Sequence, residues 1–234
     1  TASIYVHLDW HIGHYVKILM DEVFGENNFL NEIIWCYNGP GSPGMKQFNR
    51  KHDTIFWYCK DINDYTFNDN SVRIAHNAKT LENFKRGLVG SGFVSDTYDL
   101  NNSGKIPEDW WQFAVASRYP VDGVRRVEYA TEKPYPLIER IILASSNPND
   151  IVADFFGGSG VLATMAHLNK RKFIHTDINI NSIQTTRDRL LAAKAEFDVM
   201  EIKDGVSLYR NPVQTMERLK KLIPGLRNED ALDK

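Results

Sequence analysis

The residues best suited to chemistry lie in one short run, Asp154-Phe155-Phe156-Gly157-Gly158-Ser159-Gly160, and in Asp177 further along. A strand that runs through glycines into a helix turns backbone N–H groups and the positive helix end toward a ligand. Glycine is needed there because a side chain would collide with the ligand or because φ is positive. Gly158-Ser159-Gly160-Val161-Leu162-Ala163 fits the dinucleotide fingerprint with alanine in the last place. Asp177 follows Gly157 by 20 residues, at the end of the next predicted strand. An acid there can accept both hydroxyl protons of a ribose. The plainer alternatives are a glycine turn kept for packing and an Asp177 that merely caps the next helix. Turn and acid together, between strand, helix and strand, predict an adenosine-type cofactor.

The neighbours of the turn narrow the choice. A nicotinamide dehydrogenase carries this motif near the start of its binding domain, whereas here it falls in the last third of the chain. Asp154, at the carboxyl edge of a predicted strand, can receive a cationic or amino group. S-adenosylmethionine offers an ammonium and a sulfonium and needs no pyrophosphate cradle. Phe155 and Phe156 would pack on the adenine or near the sulfonium, or else one of them belongs to the core.

These residues need elements to hold them. Ser3–Leu8 reads as a strand rich in β-branched and aromatic residues. Ile12, Tyr15, Val16, Leu19, Met20 and Val23 recur at helical spacing and predict a helix that buries this face and stops at Gly25. Strands are predicted at Asn31–Tyr37 and Thr54–Cys59, separated by the loop Asn38-Gly39-Pro40-Gly41-Ser42-Pro43-Gly44. Residues 61–126 are rich in Asn, Asp, Gly and Ser and read as an inserted recognition lobe, with one short helix near Thr80–Lys85. From Pro136 the order is helix, strand Ile151–Asp154, glycine turn, helix, strand Lys172–Asp177, and a helix over Ser182–Phe197. That order predicts an α/β fold, a Rossmann-like sheet with helices on both faces. The expected division is a core of 1–60 and 127–208, the lobe 61–126, and a helical tail 209–234.

Composition sets outer bounds. The 234 residues suffice for one domain with an inserted lobe. With 42% hydrophobic and 25% charged residues, the chain is neither mainly disordered, nor collagen-like, nor a coiled coil. No apolar stretch approaches the ~18 residues of a membrane span. Thr1 is not a Met and no signal-peptide pattern follows it, which predicts a chain that starts after processing or inside a longer protein. Cys36 and Cys59 have neither metal nor disulfide spacing, so a reducing cytoplasm is expected. A net charge of −2 gives no global electrostatic case for nucleic acid, and a DNA-binding face must come from local clusters.

Asp154-Phe155-Phe156-Gly157-Gly158-Ser159-Gly160 resembles the D-P-F-x-G-S-G cofactor motif of the permuted, β-class amino-group DNA methyltransferases, which act on adenine N6 or cytosine N4. Glu132-Lys133-Pro134-Tyr135-Pro136-Leu137-Ile138-Glu139-Arg140-Ile141-Ile142 is similar to the K-P-x-x-L-x-x-R-I-I segment of that family. Ser3–Trp10, Asn31–Trp35 and Lys51–Tyr58 continue the likeness. Phe155 stands where the family usually has proline, a local change only. The resemblance implies S-adenosylmethionine as cofactor, held by Asp154, Phe155, Phe156, Gly157, Gly158, Ser159 and Gly160, with Asp177 on the ribose. It implies that Lys133 and Pro134 close the pocket, Lys133 by pairing with the cofactor carboxylate or, in the plainer reading, simply as a solvated lysine.

The family's catalytic Asp/Asn/Ser-Pro-Pro-aromatic tetrapeptide does not occur in these residues; Asn147-Pro148-Asn149 and Asn211-Pro212-Val213 lack its second proline and its ring. The resemblance would place it upstream of Thr1. The expectation is therefore a piece of a site-specific methyltransferase, adenine-directed and part of a restriction-modification system, with little or no methyl transfer alone. No catalytic residue and no metal site are assigned. Double-stranded DNA is the expected partner, with a restriction subunit or a second copy as further candidates and no membrane. The candidate DNA contacts are Lys46, Arg50, Lys51, Arg73, Lys85, Arg86, Arg125 and Arg126, with His52, Lys79 and Arg118 beside them, taken collectively because single surface cations usually only solvate. His7, His11 and His14 with Asp9 could suggest a metal, but a structural or solvated role is the better reading. Trp110 and Trp111 read as core rather than base contacts. The competing readings are a nicotinamide-dependent oxidoreductase, supported by the glycine turn alone, and a noncatalytic nucleic-acid-binding module with a vestigial pocket.

Overall fold

The structure, a computed structural model, describes residues 2–39, 44–85, 100–115 and 132–202, and for 83–85 the backbone only. Arg86, Arg118, Arg125, Arg126, the side chain of Lys85 and the tail 209–234 lie outside the described residues. The elements are β1 (Ser3–Leu8), α1 (Gly13–Phe24), a 3-10 turn (Glu26–Asn28), β2 (Phe29–Cys36), β3 (His52–Cys59), α2 (Asp69–Val72), α3 (Ala78–Lys85), β4 (Trp110–Gln112), α4 (Tyr135–Ser145), β5 (Ile151–Asp154), α5 (Val161–Leu168), β6 (Lys172–His175) and α6 (Ile180–Ala192). All belong to one unit, Thr1–Ala195; a second begins at Glu196. None of the described helices is long and apolar enough to cross a membrane.

The α/β expectation holds, and the strands form two sheets. The larger has the order β1-β3-β2-β4, and the smaller pairs β5 with β6. β3 is antiparallel to both neighbours, with Val6 opposite Phe56 and Ile33 opposite Ile55. Its run Ile55-Phe56-Trp57-Tyr58-Cys59 is buried at every residue, as a strand covered on both faces must be. On one face Ile33, Trp35, Ile55, Trp57 and Trp111 pack with Leu137 of α4. On the other, Phe56 and Tyr58 pack with Met20 of α1.

α4 joins the two sheets. Leu137 enters the first cluster, while Ile142 packs with Val161, Met165 and Ala166 of α5 over Val152 and Phe173 of β5 and β6. At its end the Tyr5 hydroxyl on β1 lies 2.6 Å from Ser145 Oγ. The β5–β6 pair is parallel, Asp154 opposite His175, so the glycine turn and Asp177 leave the same sheet edge side by side.

Three expectations need correction. Of the apolar positions on α1, Met20 is buried and Val16 packs beside it with Phe24, but Tyr15, Leu19 and Val23 are 71%, 56% and 74% exposed. The apolar arc of α1 is wider than the stripe that β3 covers. α6 ends at Ala192 rather than running to Phe197: Lys194 takes a left-handed φ of 58°, and the N–H groups of Lys194 and Ala195 return to the carbonyls of Leu191 and Leu190. The stretch read as lobe also returns to the main sheet, because β4 pairs parallel with β2, Trp111 opposite Trp35. Trp111 is buried with its indole N–H on the Glu108 carbonyl, 2.9 Å away, while Trp110 is exposed.

Candidate cofactor site

The site is a turn clamped from behind. Asp154 Oδ1 accepts the N–H of Phe156 at 3.0 Å, an Asx turn that bends the chain off β5. Gly157 donates its N–H to the Thr176 carbonyl at 3.0 Å, and the Thr176 hydroxyl donates to the Phe155 carbonyl at 3.0 Å. Gly158 donates to Asp177 Oδ2 at 2.8 Å. Gly158 and Gly160 have φ of 52° and 75°, which glycine adopts without cost. A Cβ on Gly157 would meet the His175 ring at 2.0 Å, and one on Gly160 would meet Thr186 at 2.3 Å. Gly157 and Gly160 are therefore required by the elements behind the turn, β6 and α6, the packing reason that the sequence reading set beside ligand approach.

On the other side the turn is open. Phe155 and Phe156 are 65% and 92% exposed, so neither serves as core. Asp177 also accepts the Asn179 N–H through Oδ1 at 2.8 Å. Burial alone would raise its carboxyl, but the N–H groups of Asn179 and Gly158, with the Ser182 hydroxyl, hold it below the usual carboxylate range. The group is thus an ionised, oriented acceptor beside the turn. It does not cap α6; the Asn179 side chain does, accepting the Asn181 N–H at 2.9 Å. An open pair of rings, a fixed carboxylate and a glycine turn at a strand's carboxyl end fit an adenosine-bearing group with hydroxyls and positive charge.

Lys133 and Pro134 reach the same place from α4, for which Pro134 is the N-cap. Burial pulls the Lys133 ammonium below its ordinary value, opposed by Asp53 and Asp154. Lys133 Nζ lies 5.9 Å from the Trp35 ring centre. The Asp154 carboxylate at the end of β5 thus acts on Lys133 electrostatically. Next to it, Glu132 forms a buried ion pair with Arg189 of α6, and Arg189 lies over the Tyr135 ring at 5.6 Å. Sequence reasoning missed this pair, since nothing local joins residues 57 apart.

A second polar group was also missed. His7 Nε2 lies 3.0 Å from Asp53 Oδ2, and the Tyr37 hydroxyl donates to Asp53 Oδ1 at 3.3 Å. Burial, and then Lys133, lower the His7 pKa against the pull of Asp53. His11 instead turns to Asp9, 2.9 Å away. The two histidines thus serve different carboxylates, and no cluster fit for a metal occurs among the described residues.

The candidate DNA contacts divide. Lys46 is exposed, and near it in sequence Phe48 is 98% exposed. The Arg50 guanidinium stacks on Trp10 at 3.9 Å, and Lys51 is partly buried with its Nζ against Gly39. Arg73 is occupied in building the lobe: it pairs with Asp69, donates to the Gly104 carbonyl at 2.9 Å and to Asn70 at 3.0 Å. That side chain is not available to a phosphate in this arrangement.

Residues 1–188 match the model of the N6/N4 methyltransferase family, described as DNA methylase. The DNA adenine methyltransferase YhdJ of Escherichia coli is 34% identical over 160 residues, 68% of this chain and 51% of that protein. The Type II methyltransferase M.HpaI of Haemophilus parainfluenzae is 29% identical over 201 residues, 86% of this chain and 57% of that protein. The chain spans about half the length of the curated relatives it matches. Among solved structures, the M1.HpyAVI–SAM complex superposes with a TM-score of 0.53 at 20% identity, covering 81% of this chain and 74% of that one. The cytosine-N4-specific PvuII DNA methyltransferase superposes with a TM-score of 0.55 at 16% identity, covering 89% and 69%. Both share the fold.

Proposed function

Because the chain belongs to the DNA methylase family, we propose that it forms the cofactor-binding and DNA-recognition part of an amino-group DNA methyltransferase that uses S-adenosylmethionine. The observation that carries this is the ionised Asp177 fixed beside the glycine turn, with Phe155 and Phe156 open in front of it. Adenine N6 is the proposed target, supported by the adenine-directed relative. The names of the Type II relatives support a restriction-modification setting. A nicotinamide-dependent oxidoreductase accounts for the turn but not for Lys133 and Pro134 beside it.

When bound, S-adenosylmethionine supplies an electrophilic methyl group. The chain's own residues then bind and orient. Asp177 would accept the ribose hydroxyl protons, and Asp154 would receive the positive amino end. The exposed rings of Phe155 and Phe156 would cover apolar surface and exclude water. Lys133, which feels the carboxylates of Asp53 and Asp154, would meet the cofactor carboxylate. In-line transfer asks mainly for position and electrostatics, and a base must leave the stack to reach the site.

The test is methyl incorporation into duplex DNA from tritiated cofactor, with a segment bearing the Asp-Pro-Pro-Tyr type of tetrapeptide added upstream or in trans. Label recovered as N6-methyladenine supports the reading. A well-folded, cofactor-bound pair that transfers nothing to any base contradicts it. A second prediction concerns DNA. Lys46, Arg50 and Lys51 should neutralise phosphates, so duplex affinity falls steeply with salt, and Lys46→Ala should reduce the log–log slope by about 0.9. A flat salt response would count against this face.

A further inference from the structure

We propose that His175 is a positioning residue for the cofactor turn, acting through Ser182 and only in its neutral form. The inference rests on the cofactor reading above for its purpose, but its geometry lies wholly in the chain. His175, the last residue of β6, sits under Gly157, where a Cβ would come within 2.0 Å of its Nδ1. Its Nε2 lies 3.3 Å from Ser182 Oγ and 3.1 Å from Thr186 Oγ1, both on α6. Ser182 is fully buried and donates its hydroxyl proton to the Gly158 carbonyl at 2.5 Å.

The protons follow from this. Ser182 has one hydroxyl hydrogen, and with it on the Gly158 carbonyl at 2.5 Å Ser182 can only accept from the His175 side. Thr186 Oγ1 could donate to a bare Nε2, but that would leave the ring hydrogen on the buried Nδ1 with no acceptor among the described residues and against Gly157; the hydrogen is therefore assigned to Nε2, with Ser182 and Thr186 both in reach as acceptors, and Nδ1 is a bare lone pair. Nδ1 is buried and has no partner among the described residues. The relay runs from His175 Nε2–H to Ser182 Oγ–H to the Gly158 carbonyl, while Asp177 holds the N–H of the same glycine. The Gly158 residue is thus fixed at both its polar groups.

Protonation would put a hydrogen on Nδ1, against Gly157 and without an acceptor. Burial already lowers the imidazole below its ordinary value of 6.5, opposed by the carboxylates of Asp154 on β5 and Asp177 after β6. Those carboxylates are the charged groups that face it. A cofactor of net positive charge, set between the same two acids, further disfavours the cation. The sign follows: the ordered turn is present with neutral His175 and is lost as pH falls below the ordinary imidazole range. Cofactor affinity should fall in the same window.

The experiment is 15N NMR of the full chain from pH 5 to 8, without and with S-adenosylmethionine, on the wild type, His175→Gln, His175→Leu and Ser182→Ala. The expected result without cofactor is an Nε2–H imidazole whose titration moves the Gly157 and Gly158 amide signals together, and Ser182→Ala uncouples them. With cofactor, measured by calorimetry, His175→Gln keeps affinity within about threefold at pH 7.5 and loses the acid-side fall. His175→Leu weakens binding about tenfold, the scale of one buried hydrogen bond. An Nδ1–H tautomer, glycine signals indifferent to the imidazole, or an unchanged acid-side fall in His175→Gln would overturn the proposal. A wild type that titrates as described but does not bind the cofactor would refute the cofactor reading and leave the coupling of imidazole to turn established.

Discussion

Gly157→Ala should abolish measurable S-adenosylmethionine binding and destabilise the fold by about 1–3 kcal/mol, the usual cost of forcing a methyl into packed space. The added carbon would stand 2.0 Å from His175 Nδ1 and 2.1 Å from Cε1. The ring cannot swing aside freely, because Ser182 and Thr186 hold its other nitrogen. The turn must therefore move, and it takes with it the Gly158 N–H that orients Asp177. Calorimetry and urea unfolding check both parts. The control is Gly157→Ala combined with His175→Gly, in which the space reopens. That pair should recover part of the stability, a coupling that sites in contact show and distant sites do not. Equal loss in single and double variants would mean the collision is not the cause.

Glu132→Gln should cost about 3–5 kcal/mol, the largest stability effect expected of any single substitution here. Glu132 and Arg189 have side chains only 3% and 7% exposed and pair directly. Arg189 Nε and Nη1 are buried and have no hydrogen-bond partner among the described residues, so its charge leans on Glu132. Removing one partner of such a pair leaves a buried charge uncompensated. Replacing both, Glu132→Leu with Arg189→Met, should come close to neutral for the same reason. Unfolding midpoints in urea, with unchanged slopes, give the comparison. The single change should also loosen Lys133, one residue along, and weaken cofactor binding beyond its effect on stability. A loss below about 1 kcal/mol would show that water reaches Arg189.

Much of this site could be read from the sequence because its signals are local. The turn is four adjacent residues, Gly157 to Gly160, between a short apolar strand and an apolar helix, and Asp177 follows at the end of the next strand. Backbone hydrogen bonding between β5 and β6 then brings the two together with no further information. What escaped is what depends on distant contacts. Tyr15, Leu19 and Val23 share a helical repeat with Met20, but only the packing of β3 decides which side of α1 is covered. Glu132 and Arg189 carry no local pattern, and neither do His7 and Asp53. Arg73 reads as a surface cation until Asp69, Asn70 and the Gly104 carbonyl are seen around it. His175 looked like an ordinary strand residue because the absence that matters, a Cβ on Gly157, lies elsewhere in the chain. The end of α6 shows the same limit: the run to Phe197 keeps helix-forming residues, yet Lys194 turns left-handed and the backbone closes the helix.

The proposed hold of the glycine turn and Asp177 on S-adenosylmethionine can be measured by calorimetric titration of the chain with S-adenosylmethionine, beside NAD and beside an Asp177→Ala variant. The expected result is binding of S-adenosylmethionine and not of NAD, weakened about tenfold or more by the substitution, since Asp177 offers charge-assisted hydrogen bonds worth roughly 1.5–3 kcal/mol each. Binding of NAD instead, or S-adenosylmethionine binding that is indifferent to Asp177, would contradict it.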